Sequence, residues 1–225
     1  PPLTENLRIG PKYNLQEPAT KLDFSNDGGF ARAIEMCNGV GECRKHLSGT
    51  MCPSFMATKD ERHSTRGRAN ALRSVLSGKM STETFGSKGL YDIMDLCLEC
   101  KACKAECPSN VDMAKLKYEF LDHYNTEHGI TLRSRIFANI RSLSIIGSAT
   151  APISNWLANF KPTRYLLDKF LGIDMRRSLP TFAAQTFRDW FESRPNKVIG
   201  ETAGQVVLFN DTFMNFNYPS IGIAA

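Results

Sequence analysis

Residues 97–108 read Cys97-Leu98-Glu99-Cys100-Lys101-Ala102-Cys103-Lys104-Ala105-Glu106-Cys107-Pro108. Four cysteines fall within eleven residues, spaced C-x2-C-x2-C-x3-C-P. Three thiolates placed every third residue wrap closely round one 4Fe–4S cluster, and in this type of run the fourth ligates a neighbouring cluster. Pro108 turns the chain away after the last of them. A zinc ribbon offers two separated C-x2-C pairs instead.

Upstream lies a second group, Cys37-x5-Cys43-x8-Cys52-Pro53. Laid on the same template, Cys37 and Cys43 take positions one and three. Val40, which cannot bind iron, takes the middle, and Cys52-Pro53 is delayed by the loop 44–51. Crossed ligation then gives Cys97, Cys100, Cys103 and Cys52 to a four-thiolate 4Fe–4S site. Cys37, Cys43 and Cys107 remain for a three-thiolate site. A cubane short of one thiolate tends to lose that iron, so 3Fe–4S is the first expectation there. An incomplete 4Fe–4S cluster with His46, His63 or water as fourth ligand is the alternative.

Two such clusters with their thiolates place about −4 in the interior, and buried charge needs compensation. The stretch 63–73 supplies Arg66, Arg68 and Arg73 with several hydrogen-bond donors between the two cysteine groups. These are candidate residues around the cofactor; a surface helix with ordinary salt bridges is the plainer reading. Lys45, Lys101 and Lys104 stand beside cysteines and could act similarly.

The 225 residues carry 28 Lys and Arg against 23 Asp and Glu, mostly interleaved, and no nucleic-acid partner is expected from that pattern. Residues 129–177 are biased, with eight Lys and Arg against Asp168 and Asp174 alone. This stretch reads as a solvated basic face, or as a surface for a flavin-bearing partner or a membrane. An odd cysteine count at ligand spacing fits a reducing, cytoplasmic compartment better than a disulfide scaffold. No apolar run is long enough to span a bilayer. The start at Pro1-Pro2 suggests a processed or excised piece. No nucleotide-binding glycine motif and no catalytic triad is evident.

The chain is expected to be mainly α. Residues 1–28, rich in Pro, Gly, Asn and Asp, read as an irregular arm. Helices are expected over 29–36, from Ser64 or Thr65 to about Leu76 before Gly78, over 91–98, and from a Ser109 cap to Gly129. Residues 29–130 would form the two-cluster domain. Residues 131–204 would be a helical extension, with Pro152, Pro162, Gly172 and Pro180 as punctuation. There Ile136, Phe137, Ile140 and Leu143, then Trp156, Leu157 and Phe160, then Leu166, Leu167, Phe170 and Leu171 recur at helical spacing. Core packing is the expected role of these stripes, a docking surface the sharper one. Val206–Phe209 reads as the first strand of a truncated α/β segment covering 205–225, loosely packed for want of partner strands.

The motifs CNGVGECRK at 37–45 and MCPSFMAT at 51–58, the stretch 63–73, and residues 97–112 together resemble a known segment. It is the ferredoxin-like part of large FAD-binding oxidoreductases of the D-lactate / D-2-hydroxyglutarate dehydrogenase group. Glycolate oxidase iron–sulfur subunits, the cysteine-bearing subunit of anaerobic glycerol-3-phosphate dehydrogenase, and heterodisulfide reductase are similar more remotely. The resemblance implies an α-helical ferredoxin, as in the succinate dehydrogenase iron–sulfur subunit, where an apolar residue can also replace the middle cysteine at a 3Fe site. It further implies an FAD-containing half and a cysteine-rich CCG-type α/β domain as partners within the parent protein, with FAD bound there and not in this segment. The implied role is electron relay from flavin through two clusters to a quinone or other acceptor, within an oxidoreductase that this segment alone does not make catalytic. A peripheral position at the inner membrane face would follow from a quinone acceptor. A structural or redox-sensing iron–sulfur domain is the alternative, and a zinc-binding interaction module a third reading.

Overall fold

The computed structural model describes residues 13–80, 85–195, 204 and 206–225. Among the described residues there are α-helices and short 3-10 turns and no strand, so the chain is mainly α. It divides into two units, Pro1–Gly129 and Ile130–Ala225.

The first unit holds α1 (Phe30–Glu35), α2 (Pro53–Thr58), α3 (Thr65–Leu76), α4 (Lys88–Asp95), α5 (Ala102–Glu106) and α6 (Met113–His128). Local chemistry sets their ends. The Ser64 hydroxyl accepts from Gly67 N at 2.8 Å and starts α3. Beyond its end, Gly78 turns left-handed at φ +71°. The helix expected from a Ser109 cap instead begins at Met113, with the Asp112 carboxylate accepting from Lys115 N at 3.0 Å. Asn110, at φ +55°, takes the chain out of helical geometry before that point. The helix expected over 91–98 is α4, displaced toward the N-terminus, because Ser87 caps it and Cys97 opens the ligand loop.

Helices α3 and α6 form the middle of the unit. From α3, Ala69, Leu72, Val75 and Leu76 are buried; from α6, Met113, Leu116 and Phe120, one row at i, i+3, i+7. Phe30 and Ile34 of α1 and Leu90 and Met94 of α4 close over them. Edge-to-face rings run from Phe24 through Phe30 and Phe85 to Phe120, 5.2, 6.2 and 5.7 Å apart. Each such side chain contributes about 1.5–3 kcal/mol by leaving water. Residues 13–24 run without regular structure over α6, where Glu119, 1% exposed, accepts from Lys21 N at 2.9 Å and Leu22 N at 3.0 Å. The remainder of the expected arm, 1–12, lies outside the described residues.

The second unit holds α7 (Leu132–Ala138), α8 (Ile140–Ala149), α9 (Ala151–Asn159), α10 (Lys161–Leu171), α11 (Phe187–Ser193), α12 (Thr212–Phe216) and α13 (Pro219–Ala224). Pro152 and Pro162 sit in the first turns of α9 and α10, where a missing N–H costs nothing, so they begin these helices. Gly172, left-handed, ends α10. The expectation that the apolar stripes of 132–171 pack a core is corrected: Leu143, Trp156, Leu157, Phe160, Leu166 and Phe170 are exposed. Small and polar side chains occupy the inward faces instead, since they permit close approach and bond the backbone of neighbouring segments. The strand expected at Val206–Phe209 is also absent; no partner strand exists among the described residues, and these side chains are exposed. Nor is the end of the chain loose throughout. Met214 and Phe216 are buried, Gly222 packs on the Phe187 ring, and Ala183 N donates to the Phe216 carbonyl at 2.7 Å.

Replacing Glu119 by alanine leaves two backbone amides and a buried pocket without their acceptor. The variant is expected to lose about 2–4 kcal/mol in chemical denaturation and to become protease-sensitive before Ser25, with Glu119→Gln losing clearly less.

Candidate iron–sulfur site

The two cysteine groups are built alike. A helix ends shortly before each first cysteine: Cys37 N bonds the Ile34 carbonyl at 3.2 Å, and Cys97 N the Met94 carbonyl at 3.0 Å. Ile34 and Met94 are both fully buried. Two and four residues after each first cysteine the backbone is left-handed. These residues are Gly39 (φ +87°) and Gly41 (+84°) in one group, Glu99 (+56°) and Lys101 (+58°) in the other. Glycine adopts this freely; a glutamate or lysine held there costs about 1–2 kcal/mol. The pattern winds each segment round so that successive third residues turn to one side. Val40 therefore occupies the backbone slot that Cys100 occupies in the other copy. It is 61% exposed, and its N–H donates to Asn38 Oδ1 at 3.0 Å.

A small cavity, partly open to solvent, is lined by Cys52, Cys97, Cys100 and Cys103 together with Met51, Ser54, Thr65 and Met113. The structure thus brings Cys52 across to the three close-spaced cysteines, although 45 positions separate it from Cys97 in sequence. What carries it there is Glu106 of α5. Its carboxylate accepts from Thr50 N at 2.8 Å, Met51 N at 3.2 Å and the Thr50 hydroxyl, pinning the end of the 44–51 loop. Cys37 and Cys43 lie buried in the same side-chain cluster as Cys52 and Cys103, with Cys97 and Cys107 packed against it. Among the described residues no three His, Cys, Asp or Glu side chains converge on one point as a single ion needs. Four thiols round a cavity suit a cofactor of several atoms.

Arg68, fully buried, bonds two of the residues that line this cavity, Cys52 and Ser54. Its Nη1 donates to the His63 carbonyl at 2.7 Å and reaches the Cys52 sulfur at 3.6 Å. Nη2 bonds Ser54 Oγ at 3.0 Å and Nε the Ile93 carbonyl at 3.0 Å. Among the described residues no carboxylate pairs with it. Burial pushes the Cys52 thiol up, but the Ser54 hydroxyl, the Arg68 charge, Phe55 N–H and the Thr65 hydroxyl together bring it below its ordinary value. The Cys97 and Cys103 thiols are raised, chiefly by burial; the Glu99 amide partly offsets this at Cys97, and the Met113 and Ala114 amides at Cys103. Cys43 is raised by burial as well, against Arg66 N–H, 3.3 Å from its sulfur, and the Ser64 hydroxyl.

The other expected neighbours divide. The Arg66 guanidinium pairs with Glu61 at 2.8 Å and bonds the Gly39 carbonyl at 3.2 Å, bracing the Val40 loop. Arg73 donates to the Ile34 and Cys37 carbonyls at 3.2 and 2.9 Å and to Asn70 Oδ1 at 2.7 Å. Lys45 pairs with Glu42, and Lys101 with Asp112 at 3.2 Å. The lysine that does hold the ligand loop is not one of those beside the cysteines. Lys117 is buried on α6, bonding the Asp95 and Cys97 carbonyls at 3.1 and 2.8 Å and Glu99 at 2.9 Å. Its only sequence signal is a lysine on the apolar face of an amphipathic helix. His46 lies edge-on to Phe55, and His63 Nδ1 is 3.0 Å from Thr58 Oγ1.

With this geometry in view, comparison with known proteins agrees on the class. Residues 31–111 match the family described as 4Fe-4S dicluster domain, which supports an iron–sulfur role for the cysteines of that segment. The chain is similar to D-2-hydroxyglutarate dehydrogenase of Escherichia coli (strain K12), 26% identical over 212 residues that cover 74% of this chain and 21% of that protein. It is also similar to a subunit of the anaerobic glycerol-3-phosphate dehydrogenase of the same organism, 34% over 115 residues, covering 51% and 28%. A probable glycolate oxidase iron-sulfur subunit of Bacillus subtilis (strain 168) is 33% identical over 82 residues, covering 35% and 18%. The matches thus span from 18% to 28% of the length of these relatives. No solved structure matches the chain.

Arg68→Met removes the buried positive charge beside the Cys52 sulfur. A charge a few ångströms from a redox centre is worth about 1–4 kcal/mol. A redox titration of the cluster-loaded variant should therefore show one potential lowered by on the order of 100 mV, with iron content recording any loss of cofactor.

Proposed function

We propose that this chain is the electron-transfer module of an FAD-linked 2-hydroxy-acid dehydrogenase, an oxidoreductase in which the flavin lies outside this segment. The observation that carries the reading is the paired cysteine framework: two copies of one winding, side by side, in a domain matching the dicluster family. One cluster is enough to staple a fold, so two adjacent ones favour throughput. Relatives named as hydroxy-acid and glycerol-3-phosphate dehydrogenases support the class of parent reaction. The clusters, when bound, supply single-electron steps, which divide the electron pair that a flavin delivers before it reaches a quinone or other acceptor.

In this reading Cys97, Cys100, Cys103 and Cys52 hold a 4Fe–4S cluster; that these four cysteines line one cavity supports it. Cys37, Cys43 and Cys107 hold the second, a 3Fe–4S cluster, because the slot matching Cys100 carries Val40. Arg68 compensates the sulfur charge from beneath. The amides of Arg66, Glu99, Met113 and Ala114, donating to cysteine sulfurs, stabilise the more negative state and raise the potentials. An FAD-containing half and a CCG-type domain of the parent protein are the proposed partners.

The loaded chain should contain about seven irons and give an EPR signal when oxidised, because a three-iron centre has an odd electron count. Val40→Cys should bring about eight irons and silence that signal, since its backbone is already wound to present a thiolate. Eight irons and no oxidised signal in the unaltered protein would reject the three-iron assignment. Separately, the chain should not turn over D-lactate, D-2-hydroxyglutarate or glycolate with a dye acceptor unless its flavoprotein is added; turnover by the chain alone would sink the electron-relay reading.

A further inference from the structure

Helices α8, α9 and α10 of the second unit are inside out. On α9 the outward positions are Ile153, Trp156, Leu157 and Phe160, one row at i, i+3, i+4, i+7, with Ile153 69% and Trp156 62% exposed. The inward positions carry Ala151, Ser154 and Asn155. Ser154 Oγ donates to the Gly147 carbonyl at 2.6 Å. Asn155 clamps the Phe182 backbone, its Oδ1 accepting from N at 2.7 Å and its Nδ2 donating to O at 2.8 Å. Helix α10 repeats the inversion. Arg164 is buried, donating to the Asp174 carbonyl at 2.9 Å and to that of Arg177, while Tyr165, Leu166 and Phe170, the last 70% exposed, face out. Helix α8 buries Ser144, Gly147 and Ser148 and exposes Leu143, Ile145 and Ile146.

A helix whose only environments are protein core and water does the opposite. Contiguous apolar surface of this size marks a place that something else covers. Charge narrows what that is. Of the eight basic side chains of residues 129–177 all but Arg164 are exposed, against two acids, one of which, Asp174, is paired with Arg176 at 2.6 Å. Two of the basic residues, Lys161 and Lys169, are exposed on α10, and Lys169 Nζ lies 6.0 Å from the Tyr165 and Phe170 ring centres. Trp, Phe and Tyr interleaved with Lys is the composition that settles at a headgroup boundary, where ring and stem enter the acyl region and the ammonium meets phosphate. A second copy of the chain would bring the same positive face against itself, which like charge opposes. No described helix is long and apolar enough to cross a membrane, so the geometry is that of lying on one.

We propose that the outward rows of α9 and α10 seat this protein on an anionic lipid surface. The inference uses nothing from the cysteine framework and stands apart from the electron-transfer reading. The cluster-loaded chain, carrying Trp190→Phe so that Trp156 is the sole indole, is floated with vesicles of phosphatidylcholine alone or mixed with phosphatidylglycerol. It should partition onto the mixed vesicles with a blue shift of Trp156 emission, and lose that partition severalfold as salt is raised. Phe160→Glu with Phe170→Glu should reduce partition about tenfold or more, at unchanged iron content and unfolding midpoint. Absence of flotation, equal flotation on neutral vesicles, or full binding by the double variant would each overturn the proposal. So would a concentration-dependent dimer, or flavoprotein co-purification without lipid binding, that the same double variant abolishes. Iron content is read in the same samples, so loss of the clusters is seen separately from loss of lipid binding.

Discussion

A guanidinium without a carboxylate lies at the centre of the first unit, and its contact with the Cys52 sulfur organises what surrounds it. Burying a charge without compensation costs several kcal/mol, and every donor edge of Arg68 is spent on a carbonyl, a hydroxyl or sulfur. These partners come from different segments: His63 from the turn before α3, Ser54 from α2, Ile93 from α4. The residue that compensates the sulfur therefore also ties these segments to α3. The first turn of α3 does the rest. Its cap Ser64, the next residue Thr65 and the Arg66 amide all reach cysteine sulfurs, at Cys43 and Cys52. A helix start offers unpaired N–H groups and a positive dipole end where anionic sulfur would be held. One turn of helix thus reaches both Cys43 and Cys52, and its buried continuation, Ala69 to Leu76, fixes it in the core.

The pairing of left-handed positions, Gly39 with Glu99 and Gly41 with Lys101, separates backbone from side chain in the two copies. Glycine makes the winding easy in the first copy. In the second the winding is held at greater cost, and the structure shows what holds it: Glu99 is paired with buried Lys117, and Lys101 with Asp112. The copy without a middle thiolate has the easier backbone. The copies also differ in their return. Cys107 follows Cys103 within one short helix, whereas Cys52 returns only after an eight-residue excursion that Glu106 must anchor.

The chemistry of the site is legible in the sequence because cysteine spacing is local. Three thiolates every third residue, a degenerate copy with Val40 in the middle slot, and arginines between the groups all lie within short windows. Helix α3 is legible for the same reason, Ser64 and Gly78 being local signals. Lys117, Glu106 and Glu119 are not. Each acts on backbone 20 to 98 positions away, and nothing in a charged residue on a helix announces a distant carbonyl or amide. Arg73, an expected neighbour of the cofactor, donates to the carbonyl of the first cysteine, Cys37. The outward rows of α9 and α10 show a different limit. Periodicity reveals that Trp156, Leu157 and Phe160 share a face but not which way it looks; Ser154 and Asn155, able to bond neighbouring backbone, decide that.

The two units follow one rule to opposite results. In the first, apolar side chains fill most of the interior, and the charged groups inside it, Arg68, Arg73, Lys117 and Glu119, are bonded to backbone or to neighbouring side chains. In the second, polar side chains face inward and are satisfied by backbone, with Ser148 Oγ and Arg164 Nη1 the side-chain atoms left without a partner there among the described residues. Inward hydrogen bonds of this kind contribute only about 1 kcal/mol each, while outward apolar rows contribute nothing until water leaves them. A surface that covered α9 and α10 would therefore stabilise the second unit, by the linkage that makes any ligand of the folded state stabilise it. A substitution such as Phe170→Glu changes the outward row and leaves the inward clamps of Asn155 and Arg164 as they are.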